Sequence, residues 1–298
     1  MLFSRNLYMS EDKKGTLAIL VTGILWSSIG VFVAELAACG STPSLTAFMR
    51  MAFGFLFVFP VAVIKNSVRV DRKTLFACAM LGLLAHAPFN ICYGLSVPAN
   101  GVALAAVLLY SAPVFTAVAS RILFGEKFTL RKYLALVLNI VGCILAVTGG
   151  NFFDAEITFS GILFGVGAGF FYGMIPILGK IAGKHANPFT ISTWSYFFTS
   201  IALLMFTRPP VTLLKNFNLT TLGIFYGLIT AALPYLIYYY GVQKIKETSR
   251  VPVFASIELV IASVIGIIIY HEVLKIINIV GIILVLSSII LDSSGESK

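Results

Sequence analysis

Ten times along this chain, a run of about twenty residues passes with almost no charge. The runs fall at roughly 15–37, 43–64, 74–96, 100–121, 131–149, 160–180, 188–206, 219–242, 248–269 and 275–291. A helix needs about 20 apolar residues to cross the ~30 Å of hydrocarbon in a bilayer. Few other architectures accept ten such runs in succession. Composition agrees: 59% of the 298 residues are hydrophobic and only 11% are charged, with mean hydropathy +0.98. A soluble domain of this size carries about a quarter of its residues charged. The expected fold class is an all-α integral membrane protein of ten transmembrane helices, with the lipid bilayer as its principal partner.

The net charge of +9 would point to nucleic acid in a soluble chain. Here the positive residues cluster in alternate connections, which reads as membrane orientation and leaves no nucleic-acid partner. With the N-terminus in the cytoplasm, the inside segments hold Arg5, Lys13, Lys14, Lys65, Arg69, Arg72, Lys73, Arg121, Lys127, Arg131, Lys132, Lys180, Lys184, Lys244, Lys246, Arg250 and Lys298. Arg208, Lys215 and Lys275 fall outside, and Arg50 lies within a span. Both termini are therefore expected in the cytoplasm of a multi-pass protein of the cytoplasmic (inner) membrane. The polar start "MLFSRNLYMSEDKK" precedes an apolar run too long for a signal-peptide core, so the first span is read as retained. Met1 and Met9 both stand open as the start.

The chain repeats itself. Displaced by 146 residues, "GILWSSIG" (23–30) meets "GFFYGMIP" (169–176), and "LFGEKFTLRKYLALVLNIVG" (123–142) meets "IYHEVLKIINIVGIILVLSS" (269–288). Glu126 then falls on Glu272. With a one-residue slip "YGL" (93–95) meets "YGV" (240–242), and Pro43 meets Pro188. Five spans per half is an odd number, so the second half enters from the opposite face and the expected repeats are inverted. Secondary transporters commonly have this construction, since two similar halves can exchange conformations around a central site. The organisation expected is a cytoplasmic segment at 1–14, a first five-helix repeat at 15–149, an extracellular linker at 150–159, a second repeat at 160–291 and a cytoplasmic tail at 292–298.

Two halves, each with an acidic turn after the fourth span and a short glycine-bearing fifth, resemble the EamA branch of the drug/metabolite transporter superfamily. The resemblance spans about 15–291. The family's "sPvf…lgE" pattern stands here as "SAPVFTAVASRILFGE" (111–126) and, altered, as "SIELVIASVIGIIIYHE" (256–272). In the second copy Glu258 keeps the acid of a Glu-Pro pair and Leu259 takes the place of the proline. The resemblance implies a glutamate at 258, an arginine at 50, and export of metabolites or toxic analogues.

The residues themselves nominate a site. Glu258 lies about ten residues into its span, so ~15 Å deep. An intramembrane carboxylate is costly and marks either a functional group or an interhelical bond. His86, about 18 Å deep by the same rise, titrates near neutrality and suits proton coupling. Asn90 is on the same helix face four residues on. Trp26, Tyr93 and Tyr110 are candidate walls for a cation or planar group, against the ordinary reading of packing or interfacial anchoring. Glu35 and Arg50 lie at similar depth near the outer end and pair as a gate, or Arg50 takes a substrate carboxylate. The ladder Gly161, Gly165, Gly169 and Gly173 reads as a close helix contact. Glu126 and Glu272 sit at turns, where carboxylates cap helix amides.

Cys39, Cys78, Cys92 and Cys143 lack metal or disulfide spacing and read as small hydrophobes. "GMIPILGKI" is not a phosphate loop, "HEVLK" lacks the second histidine of a zinc helix, and no G-x-S-x-G occurs. No catalytic residue, metal or cofactor is expected, and the chain reads as no enzyme. The expected function is secondary active transport of small metabolites, amino acids or related amines, as proton-coupled export by alternating access, with Glu258 or His86 as coupler. The alternative is uptake or facilitative exchange of a nutrient or nucleotide-derived metabolite. Sequence leaves open a monomer or a homodimer.

Overall fold

The computed structural model describes residues 9–150, 158–208 and 216–293. Arg5, Lys215, Lys298, the Met1 start, and most of the expected linker and C-terminal tail lie outside the described residues. Within them the chain is helical throughout: α1 (Glu11–Trp26), α2 (Ile29–Ala38), α3 (Pro43–Ile64), α4 (Arg72–Leu81), α5 (Ala87–Leu109), α6 (Ala112–Phe124), α7 (Leu130–Thr148), α8 (Phe159–Ala182), α9 (Pro188–Thr207), α10 (Phe217–Gly227), α11 (Leu233–Lys244), α12 (Val251–Ala255), α13 (Ile257–Tyr270) and α14 (Ile276–Ser293). Joined across their short breaks, these give nine described stretches long and apolar enough to cross a membrane, with Ala112–Phe124 as a shorter apolar helix.

Polar residues set where the helices begin. The side chains of Ser10, Thr42, Asp71, Thr129, Thr158, Asn187 and Asn216 each accept the amide three residues on, at 3.0–3.3 Å. Around the bundle the outward side chains are large and apolar, Ile122, Phe76 and Ile268 among them, while Thr22, Asn139, Ser192 and Thr199 are buried within. This inversion suits lipid as solvent, because polar groups find partners only between helices.

The fourth expected span, 100–121, begins at a reversal of the chain and is broken between α5 and α6. Helix α5 is interrupted at Gly101 (φ 78°, ψ 162°), a backbone conformation that glycine adopts without strain. There the chain doubles back. A methyl group on Gly165 would lie 2.9 Å from Ser96 Oγ and 2.8 Å from Leu108 Cβ. Twelve residues of straight helix would hold Ser96 and Leu108 ~18 Å apart. The glycine ladder of α8 is what lets these two arms close on it: a methyl on Gly173 would stand 2.7 Å from the carbonyl of Ala112. The "NIVG" shared by 139–142 and 278–281 has a similar use. Gly142 and Gly281 bring α7 and α14 within backbone contact, a methyl on Gly142 falling 2.8 Å from Val285 N.

Three breaks fall mid-span, between α1 and α2, α5 and α6, and α12 and α13. Each has a serine whose hydroxyl turns back on a carbonyl three residues earlier. Ser27 bonds Ile24 O at 2.6 Å, Ser28 bonds Leu25 O at 2.8 Å, Ser111 bonds Leu108 O at 2.6 Å and Ser256 bonds Val253 O at 2.6 Å. Serine side chains offer the backbone an alternative partner and so stabilise a break without proline. The span carrying Glu258 therefore breaks at Ser256 although Leu259 has replaced the family's proline.

Candidate functional site

Two π turns, Gly82–His86 and Leu228–Ala232, interrupt the centres of their spans. They lie 146 residues apart, each with a proline two residues beyond its end, Pro88 and Pro234. Proline has no N–H, so the carbonyl four residues earlier loses its helical partner. For Pro234 that carbonyl is Thr230 O. Trp26 Nε1 donates to it at 3.1 Å from α1, and Arg50 Nη2 at 3.0 Å from α3. The next carbonyl, Ala231 O, accepts from Tyr196 OH at 2.9 Å from α9. One helix break thus gathers side chains from three other helices.

Around it stands an aromatic wall. Trp26 meets Tyr235 at 5.1 Å and Tyr238 at 5.3 Å between ring centres, and Tyr172 at 6.5 Å. Tyr172 continues to Phe89 (5.0 Å) and Phe89 to Tyr93 (6.2 Å). The Arg50 guanidinium sits 5.8 Å from the Tyr235 ring centre and 5.9 Å from that of Tyr226, within cation–π range.

Glu258 faces this interior. It lies in the first turn of α13, just past the Ser256 break, and α1 holds that break closely: a methyl on Gly23 would stand 2.8 Å from Ala255 O. Tyr93, Tyr110, Tyr172, Tyr235 and Arg50 lie within electrostatic range of Glu258. Among the described residues its carboxylate has no hydrogen bond and no ion pair. Glu258, Tyr93, Tyr110 and Tyr172 are half-buried, which leaves a small ligand or water room to touch them.

The expected residues divide in three. Glu258, Tyr93 and Tyr110 share the interior. Trp26 and Arg50 are 3% and 7% exposed, with Trp26 Nε1 and Arg50 Nη2 on Thr230 O while Arg50 Nε is buried with no hydrogen bond among the described residues, so both brace the break as well as wall the site. His86 and Asn90 are turned inward. His86 is fully buried with Nε2 2.6 Å from Tyr239 OH, and Asn90 Nδ2 donates to His86 O at 2.7 Å. They do not form an open pair on the cavity. Nor does the structure join Glu35 to Arg50. Glu35 is exposed on α2 and forms no ion pair among the described residues, because the orphaned Thr230 carbonyl draws Arg50 toward the core. No group of three His, Cys, Asp or Glu side chains among the described residues is placed to hold a metal.

The comparisons match this architecture. The model of the EamA-like transporter family matches twice, over residues 13–148 and 159–293. The chain belongs to the EamA-like transporter family. An "uncharacterized transporter" of Archaeoglobus fulgidus is 32% identical over 277 residues, covering 93% of this chain and 95% of the relative. The "uncharacterized inner membrane transporter YicL" of Salmonella typhimurium is 21% identical over 97% of this chain and 98% of its own. One crystal structure superposes with a TM-score of 0.78 at 11% identity, covering 95% of this chain and 97% of the other, which shows the fold alone. This EamA-like protein is a multi-pass membrane transporter.

One end of this EamA-like transporter is tied by charge, and sequence reasoning missed most of it. Arg250 sits between Asp12 and Asp292, at 3.2 Å from each, and Lys132 pairs with Glu247 at 2.7 Å. Lys180 Nζ donates to Ile245 O (2.6 Å) and Lys246 O (2.8 Å), and Lys246 N donates to Asp12 (2.6 Å). Glu126 was expected to cap the helix that follows it. Instead Thr129 caps α7, and the Glu126 carboxylate accepts from Thr248 N (2.6 Å), Ser249 N (3.2 Å) and Ser249 Oγ (2.6 Å). The sequence signals were there to find: an acid just before the first span, another near the end of the last, and an arginine opening the ninth.

Proposed function

We propose that this transporter exports a small amine-bearing metabolite, an amino acid or a related amine, across the cytoplasmic membrane by proton-coupled alternating access. The observation that carries the reading is Glu258: a carboxylate deep in a span, facing an aromatic interior, with no hydrogen bond or ion pair among the described residues. Such a group requires either a proton or a cationic ligand, and a coupler must exchange one for the other. Arg50, charged and within electrostatic reach but not in contact, would receive a substrate carboxylate, so the pair suits a zwitterion. Tyr93, Tyr110 and Tyr172 would pack against its side chain, with Trp26 behind them. His86, bonded to Tyr239, is a second candidate for the proton, with Asn90 fixing its backbone.

The same reading takes the chain as ten spans in two inverted repeats, 15–149 and 160–291, with both termini in the cytoplasm. Support comes from the two family matches, the paired π turns at an offset of 146, and the reversal at Gly101, which divides Arg72–Leu109 into two arms. The charged end is then cytoplasmic, by the distribution of Lys and Arg. In this reading the ion pairs and the Glu126 bonds hold that side shut.

Transport in proteoliposomes tests the function, using a panel of amino acids and amines, an imposed pH gradient, and Glu258→Gln beside the parent. Gradient-driven flux is expected to vanish in the variant while substrate exchange survives. If both modes persist unchanged, Glu258 does not couple protons.

A further inference from the structure

Glu126 and Glu272 occupy matching places 146 residues apart. Each directly follows a residue in the left-handed region that ends a helix, Gly125 (φ 68°) after α6 and His271 (φ 53°) after α13. Their surroundings differ. Glu126 takes the amides of Thr248 and Ser249, where the segment carrying Glu258 begins. The equivalent of that site, 146 residues back, is the amide pair of Val102 and Ala103, where the arm carrying Tyr110 begins after Gly101. Glu272 does not reach them here. It is exposed, its carboxylate has no hydrogen bond or ion pair among the described residues, and Val102 is 66% exposed.

We propose that Glu126 and Glu272 are alternating latches, and that this structure has one shut and the other open. In the opposite conformation Glu272 takes the amides of Val102 and Ala103 while Glu126 releases Thr248 and Ser249. The inference rests on the alternating-access reading above and names the residues that hold each state. Both latches use the same chemistry, a carboxylate on two backbone amides, so releasing one is offset by closing the other. A left-handed residue before each acid ends the helix and sets the acid at its tip; Glu126 reaches across to the Thr248 segment, whereas the Glu272 carboxylate is folded back over Gly266 of α13 in this structure.

The two ends are unequal in one respect, and that accounts for the state seen. At the Glu126 end, Arg250 is held by Asp12 and Asp292, and Lys132 by Glu247. The residues at the equivalent positions of the other end are Leu104 for Arg250, Thr158 for Asp12, Ala146 for Asp292 and Asn278 for Lys132. None is charged. The Glu126 latch is reinforced by ion pairs, whereas the Glu272 latch works alone, so the conformation closed at the charged end is favoured at rest.

The test is spin-label distance measurement on the full-length protein in proteoliposomes, at acidic and neutral pH with no added ligand. Cys39, Cys78, Cys92 and Cys143 are first replaced by alanine. Labels at Ala103→Cys and Val273→Cys report the Glu272 end, and labels at Lys127→Cys and Lys246→Cys the Glu126 end. Glu272→Gln should deplete the short 103–273 population roughly tenfold, the effect of losing one charge-assisted hydrogen bond. Glu126→Gln should enrich it by a similar factor and lengthen the 127–246 distance. Glu272→Asp, which keeps the charge, should retain part of the short population, showing that the Gln variant is not merely misfolded. If the parent shows two populations at both ends and Glu272→Gln leaves them unchanged, the latch is wrong and alternating access stands. A single population at both ends under both conditions would sink the two together.

Discussion

The carbonyl of Thr230 accepts from both Trp26 and Arg50, so their contributions to stability should be coupled. Trp26→Phe removes the 3.1 Å bond and keeps an aromatic ring, leaving Arg50 on the carbonyl. Arg50→Lys removes the 3.0 Å bond and keeps the charge, leaving Trp26 there. Interhelical hydrogen bonds in membrane proteins average ~0.6 kcal/mol and reach ~1.7, and bonds to charged groups lie at the upper end of such ranges. Each single substitution should therefore cost about 1 kcal/mol. In the double variant a buried carbonyl has neither donor, and Pro234 denies it the helical one. An unsatisfied buried acceptor costs about 1–3 kcal/mol. The double variant should exceed the sum of the singles by ~1 kcal/mol, above the ~0.3–0.5 kcal/mol scatter of independent sites. Reversible unfolding in mixed detergent–lipid micelles, run on all four proteins, gives the coupling energy. Additivity within that scatter would refute the shared acceptor as the organiser of the α1–α3–α11 contact.

Gly173→Ala places a methyl 2.7 Å from Ala112 O, a backbone atom that cannot step aside. It should destabilise by ~1–3 kcal/mol and lower the thermal midpoint, whereas an unchanged midpoint would mean that α8 and α6 separate freely. Arg250→Met leaves the buried Asp12 and Asp292 without their shared cation, and removal of one partner from such a group costs about 3–5 kcal/mol. Hydrogen exchange should rise across residues 244–250, and protection equal to the parent's would refute the tie. Asp71 titrates below the usual carboxylate range because Thr74 donates to it from its side chain and its amide. Its contribution to the start of α4 is thus complete above the ordinary carboxyl pKa and lost as pH falls through the lowered one. Exchange at residues 72–75, corrected for intrinsic rates, should show that acid-side loss in the parent and not in Asp71→Asn.

Most apolar spans and the small-residue ladder of α8 were legible in the sequence because each depends on local pattern; the serine, threonine, asparagine and aspartate starts of helices carry an equally local signal that the sequence reading did not use. Glu258, Tyr93 and Tyr110 drew attention in the sequence for a different reason, an acid or phenol at mid-span having few ordinary explanations, and the structure brings them to one interior. The partner of Arg50 was not legible. Depth alone brought Glu35 beside it, whereas the decisive fact was that Pro234 strips Thr230 O of its donor. That signal lies in the sequence, four residues upstream of a mid-span proline, but it identifies an acceptor and not who answers it. The reach of Glu126 to Thr248 and Ser249 was hidden in the same way, since it joins residues 122 and 123 positions apart.

Mid-membrane helix breaks account for much of the polar chemistry in this chain. Lipid offers no donors, so every carbonyl freed by a π turn or proline must be met by another helix. Trp26, Arg50 and Tyr196 meet such carbonyls, and removing any of them should lower stability. Glu258 stands apart because, among the described residues, its carboxylate has no hydrogen bond or ion pair. Burying an unpartnered carboxylate is a cost, not a contribution, so Glu258→Gln should leave the thermal midpoint unchanged or raise it, even as it abolishes gradient-driven flux. Trp26→Phe and Arg50→Lys should lower the midpoint. A fall in Glu258→Gln as large as in those two would mean that Glu258 has a structural partner, and the carboxylate would then belong with the braces of the fold and not with its working site.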